Sequence, residues 1–163
     1  MTAPMDRIDR LLHHPLFVET LQALEEAEKD RIFCRHGLSH LLDVARLAWI
    51  FNLEAGGDQP KEELYAAALL HDLGRLAQYQ TGQPHEEASA LLAQAILSQV
   101  GFEEAEICRI QAAIRHHRSA EDTSNTLSDL LYRADKRARP CLFCPARDQC
   151  HWPEEQKNDR MEA

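Results

Sequence analysis

The sequence predicts an all-α protein, and three observations carry that prediction. Leu, Ala, Glu, Gln and Arg are abundant and Val is scarce, so helix formers dominate. Segment after segment carries apolar residues at three- and four-residue spacing. No stretch alternates apolar and polar residues with the period of two that a half-buried strand needs. With 163 residues, 44% of them hydrophobic, the chain reads as one globular domain with enough apolar side chains for a core.

A short helix is expected over residues 5–12. Pro15 suits a first helical turn and opens the next, where Leu16, Phe17, Thr20, Leu21 and Leu24 form a stripe running to about Asp30. The third helix starts near Cys34–Leu38 and reaches Leu53, with Leu41, Val44, Ala45, Leu47, Ala48 and Phe51 on its apolar side. Gly56-Gly57-Asp58-Gln59-Pro60 is a break, and Pro60 opens the fourth helix. That helix carries the apolar run Leu64–Leu70 and ends in His71-Asp72. Gln80–Pro84 is a loop. A fifth helix then runs from about Pro84 to Val100, where Gly101 stops it. The sixth spans about Glu103 to His117, Ser119–Thr126 is polar and turn-like, and the seventh runs from about Leu127 to Ala138 before Pro140. Cys108, in mid-helix, reads as a small core residue. The chain divides into a helical domain over 1–139 and a cysteine-rich appendix with a polar tail over 140–163. The charged tail from Glu154 onward is expected to be loose.

Charge limits the classes of partner. A net charge of −9 argues against a broad nucleic-acid surface or an anionic membrane surface. It leaves room for a small phosphate-bearing substrate in a locally basic pocket. No apolar run approaches membrane-spanning length. The stretch Met1-Thr2-Ala3-Pro4-Met5-Asp6-Arg7 lacks a signal-peptide pattern, so a cytoplasmic location is the default expectation. There the five cysteines read as metal ligands or free thiols rather than a disulfide framework.

His71-Asp72 is the organising dipeptide. It ends an apolar run that has no reason of its own to finish in two polar residues. A buried imidazole beside a buried carboxylate is costly unless both are satisfied, and one metal ion satisfies both. The plainer alternative is a helix end in water, terminated by Gly74. The other histidines, nine in all, tip the balance. His36 and His40 share a helix face, His85 begins a helix, His116-His117 ends one, and Asp135 lies within the last. Helix ends converging on one point would gather nitrogen and oxygen ligands there. His13, His14 and His151 read as surface residues.

In this order, His40-Leu41-Leu42-Asp43-Val44-Ala45, His71-Asp72 and Asp135 resemble the HD-domain superfamily of metal-dependent phosphohydrolases, over roughly residues 32–139. The resemblance implies an HD-domain-like helical bundle with His40, His71, Asp72 and Asp135 as metal ligands. It also implies one or two divalent ions, drawn from Fe, Mn, Zn, Ni, Co or Mg. Two-metal members, among them cyclic-dinucleotide and dinucleoside-polyphosphate hydrolases, use two more histidines between the pair and the last Asp. His85 and His116 stand where those would be. The stripe Ile107, Ile110, Ile114 continues instead onto His117. The ligand is nevertheless assigned to His116, following the resemblance, because helix ends fray and periodicity weakens there. His36 is left open as an extra ligand, a support to a ligand or a substrate contact.

Such a site suggests a reaction. Asp72 is the candidate bridge between two ions, and a metal-bound hydroxide could attack phosphorus while the ions neutralise phosphoryl oxygens. Arg75 and Lys136 are candidate catalytic cations. Arg133, Arg137 and Arg139 extend a basic patch that could equally be a solvated helix end complementing the dipole. The expected activity is hydrolysis of a nucleotide or other small phosphate ester. The competing readings are a non-catalytic sensor of a nucleotide, a metal or a redox signal, and an HD-fold di-iron oxygenase. Retention of His40, His71, Asp72 and Asp135 together favours catalysis over a degenerate sensor.

The appendix carries a second metal signature. Cys141, Cys144 and Cys150 form C-x2-C-x5-C, followed at once by His151. Thiolate ligation supplies a short segment with folding energy that burial cannot. A structural zinc is the first expectation and an iron–sulfur cluster the second, with Cys34 or His151 as fourth ligand. This motif lies outside the HD pattern.

Overall fold

The computed structural model describes residues 4–120 and 124–161, so part of the expected Ser119–Thr126 turn lies outside the described residues. Eight α-helices follow one another among them: α1 (Asp6–Leu12), α2 (Pro15–Ala27), α3 (Leu38–Glu54), α4 (Lys61–Leu70), α5 (Arg75–Thr81), α6 (His85–Val100), α7 (Glu104–His116) and α8 (Leu127–Arg137). The all-α expectation holds, with no strand among the described residues. No helix among them is long and apolar enough to cross a membrane.

Helix α4 is the axis of the bundle. Leu64 and the unbroken run Ala66–Leu70 are fully covered, as befits a helix apolar on all sides. It packs against α1, α3, α6, α7 and α8. Its three consecutive alanines, Ala66–Ala68, let those neighbours approach closely. The outer helices bury single stripes: Leu41, Val44, Ala45 and Ala48 on α3, and Ile107, Ile110 and Ile114 on α7. The chain stays inside the protein beyond Leu70: His71, Asp72 and Leu73 are all fully buried.

Gly74 sets the next step. It is not there for left-handed backbone, since its φ is −65°. A Cβ on it would stand 2.1 Å from the His85 carbonyl oxygen and 2.4 Å from the Ser89 nitrogen. Its own N–H donates to the Ser89 hydroxyl at 2.8 Å. This close approach seats the start of α6, and with it His85, against the turn that carries His71-Asp72. Gly101, at φ +97°, does use left-handed backbone to end α6.

Three sequence expectations need correction. Helix α5 stands where the sequence predicts no helix, because seven residues with no buried member show no apolar stripe. Cys108 is exposed, since it sits one step round from the buried stripe of α7. The tail is packed rather than loose. Asn158 donates to the carbonyls of Lys136 and Arg139 at 2.8 and 2.9 Å, capping the end of α8. Arg147 also bridges Glu154 and Asp159 across the tail, each at 2.6 Å.

Candidate metal centre

Two groups of donor atoms meet at Asp72. His40, His71, Asp72 and Asp135 form one, and Asp72, His85 and His117 the other; within each group the donor atoms lie within 4.8 Å of one another, and every residue is buried. Asp72 divides its two oxygens between them. Oδ2 is 3.0 Å from His71 Nε2 and 3.6 Å from His40 Nε2. Oδ1 is 3.4 Å from His85 Nε2 and 3.8 Å from His117 Nε2. Asp135 Oδ1 completes the first group at 3.2 Å from His40 Nε2 and 3.5 Å from His71 Nε2. In the second, the Nε2 atoms of His85 and His117 are 3.3 Å apart.

Four of the expected histidines and aspartates therefore arrive together with His85, but His116 does not. His116 is exposed, with Nδ1 against the Ala112 carbonyl. The last turn of α7 is not frayed: His117 keeps right-handed helical backbone, and its N–H still reaches the Ile114 carbonyl. The stripe Ile107, Ile110, Ile114 thus continues inward onto His117, which replaces His116 at the centre.

Hydrogen bonds preset the rings. His71 Nδ1 is 2.6 Å from the Ala68 carbonyl, and His117 Nδ1 is 2.6 Å from the Ile114 carbonyl. A carbonyl only accepts, so each Nδ1 carries the proton and Nε2 is turned toward Asp72. His40 Nε2, His71 Nε2 and Asp72 Oδ2 are buried and make no hydrogen bond. Buried polar atoms left without partners at one point fit a cation that coordinates them.

The electrostatics agree. Burial opposes charge on His71, but Asp72 and then Asp135 outweigh it and push the imidazole up to about 10. Burial would also raise Asp72 and Asp135, yet the surrounding histidines hold both well below the usual carboxylate range. The two carboxylates thus draw positive charge into the first group, and a divalent ion held there would supply it in place of the His71 proton. Burial, reinforced by Arg75, lowers His85 to about 4; burial, reinforced by His71, lowers His117 to about 4. Those two imidazoles are neutral at pH 7, the state a metal requires.

Behind the first group stands a pair the sequence did not suggest. Glu28, fully buried just past α2, accepts from His36 Nδ1 and from the Tyr79 hydroxyl, both at 2.6 Å. His36 Nε2 is aimed at Asp72 Oδ2 from 4.0 Å, outside both donor groups. Burial would raise Glu28, but the hydrogen bonds from His36 and Tyr79 dominate and lower it from 4.5 to about 2. Its folded value lies below its unfolded one, so its stabilisation is complete above pH 4.5 and fades as pH falls toward 2. Glu28→Gln should accordingly lower the urea midpoint at pH 7, and the gap to wild type should narrow between pH 4.5 and about 2. A gap independent of pH would show that Glu28 acts by shape alone.

A cavity of about 330 Å³ opens beside the centre. His36, His117 and Asp135 reach its wall, and Arg31, Arg75, Arg118, Lys136, Arg139, Arg147 and Lys157 line it too. Asp135 is its sole acidic lining residue among those described. Arg75 Nε donates to Asp72 Oδ1 at 2.8 Å, and Lys136 Nζ to Asp135 Oδ2 at 3.2 Å. Arg139, weighed in sequence as a possible solvated residue, is 8% exposed; its Nη2 donates to Asp135 Oδ1 at 3.2 Å while Nη1 is buried without a partner. Arg133 and Arg137 do not line this cavity.

The model of the HD domain matches residues 37–140 of this chain. An uncharacterized protein of Clostridium beijerinckii is 41% identical over 157 residues, covering 96% of this chain and 99% of its own length. The crystal structure of a predicted HD superfamily hydrolase from an uncultured Thermotogales bacterium shares 28% identity at a TM-score of 0.61, covering 92% of this chain and 86% of that one. The chain belongs to the HD domain family, which implies divalent metal, and its buried histidine–aspartate cluster could hold such an ion.

Proposed function

We propose that this protein is a metal-dependent phosphohydrolase acting on a nucleotide or another small phosphate ester. The observation that carries the reading is the pairing of two donor groups sharing Asp72 with a cation-lined cavity in a chain of net charge −9. Divalent ions bound there would supply Lewis acidity toward phosphoryl oxygens and would acidify water at neutral pH. The chain's own residues do the rest. Arg75 holds Asp72 in place and offers its guanidinium to a phosphate in the cavity. Lys136, tethered to Asp135 yet half-exposed, is placed to neutralise phosphate or protonate a leaving oxygen. The unpartnered Nη1 of Arg139 offers one more donor. The complete set of buried donors supports catalysis over a non-catalytic sensor. The hydrolase named among the similar structures supports the same class.

The reading is tested by a phosphate-release screen over nucleotides with Mn or Fe added back to anaerobically purified protein. Release from at least one substrate supports it, and none from the fully metallated protein overturns it. Arg75→Ala and Lys136→Ala should keep their metal but lose about 10- to 1000-fold in rate, the range for removing one positioned group. Metal loss in either variant would move that residue's role from substrate to ligand support.

A further inference from the structure

Cys34, Cys141, Cys144 and Cys150 are not scattered. All four are free and half-buried, and all four line the cavity that the histidine–aspartate centre also reaches. Cys34 comes from the segment between α2 and α3 and the others from the segment after α8, so the fold itself assembles them. Burial raises the Cys34 thiol, and Cys141, Cys144 and Cys150 add to the rise, as expected of four thiols that share one cavity wall. The backbone of the appendix is wound into tight turns at these cysteines. Cys144 N–H closes a turn onto the Cys141 carbonyl at 3.2 Å, and Cys150 N–H closes another onto the Arg147 carbonyl at 3.2 Å. Between the first two cysteines Phe143 takes left-handed backbone at φ +56° while fully exposed. A phenylalanine gains nothing from that conformation, since it is fully exposed; what the conformation does is close the tight turn between Cys141 and Cys144.

The spacing of the sulfurs speaks to the occupant. A tetrahedral zinc–thiolate site has sulfur–sulfur edges of about 3.8 Å, which follow from Zn–S bonds of about 2.3 Å. Among the described residues no three cysteine sulfurs lie within 4.8 Å of one another, although two groups of histidine and aspartate donors do. Four thiols on one cavity wall, set wider than that, suit a polynuclear core bridged by sulfide better than a single ion. His151 is exposed and is not needed to complete four ligands.

We infer that Cys34, Cys141, Cys144 and Cys150 hold an iron–sulfur cluster, which pins the appendix against the bundle and forms the wall of the cavity across from the histidine–aspartate centre. Arg139 connects the two sites. Its Nη2 binds Asp135, and its charge is felt at Cys34. The inference does not depend on the hydrolase reading, because it concerns cysteines alone.

The test uses the full chain, purified without oxygen and then reconstituted with iron and sulfide. Acid-labile sulfide is the decisive readout, because iron at the histidines would carry none. The expected result is bound sulfide, with the visible absorption band of a thiolate-ligated cluster. Cys34→Ser and Cys144→Ser should lose most of that sulfide and band, with helical circular dichroism kept, whereas Cys108→Ser should keep both. One zinc per chain at the cysteines with no sulfide, before and after reconstitution, would overturn the proposal. So would full sulfide retention in both Cys34→Ser and Cys144→Ser. If the serine variants fail to fold, the sulfide content of the wild type still decides.

Discussion

Asp72→Ala is expected to empty both halves of the centre and abolish phosphate release. No other residue belongs to both donor groups, with Oδ2 facing His40 and His71 and Oδ1 facing His85 and His117. Its loss would also leave Arg75 without the acceptor 2.8 Å away. Breaking a buried charge network of this kind costs about 3–5 kcal/mol, so a fall in stability is expected alongside. Asp72→Asn, which keeps the shape, separates the two effects. It should fold, as judged by its helical signal, and still bind far less metal. An Asp72→Asn protein with full metal content would remove Asp72 from its bridging place.

The second large effect distinguishes neighbours in sequence. His117→Ala should lose one metal of two and at least about 100-fold in rate, as expected when a positioned charge is removed from a reacting group. His116→Ala should keep both metals and stay within about twofold of wild type, the behaviour of a surface substitution. Metal content and turnover measured side by side on the two variants settle the pair. The reverse pattern would mean that the last turn of α7 is rewound when metal binds.

These two residues also show how far the sequence could be read. Helices announced themselves wherever one face alone was buried, as with Leu41, Val44, Ala45 and Ala48 on α3. Helix α5 could not, because none of its residues is buried and it has no stripe to display. At the centre, His40, His71, Asp72, His85 and Asp135 were legible because each sits at a helix end or beside a buried stripe. The stripe of α7 points to His117, whereas the resemblance to the family points one residue away, to His116. Glu28 was beyond reach. Its role comes from the turn after α2, which brings a carboxylate under His36, and nothing local in a Glu-rich helix end marks it. The packed tail was hidden for a similar reason: Asn158 and Arg147 are held by tertiary partners, and a run of charges looks alike whether or not such partners exist.

The central claim is a two-ion centre divided by Asp72. Anomalous diffraction from crystals of the protein loaded with Mn or Fe tests it directly, by locating each ion. Two peaks are expected, one among His40, His71, Asp72 and Asp135 and the other among Asp72, His85 and His117. A single peak in the first group, with His85 and His117 turned to each other and bound to nothing, would contradict it.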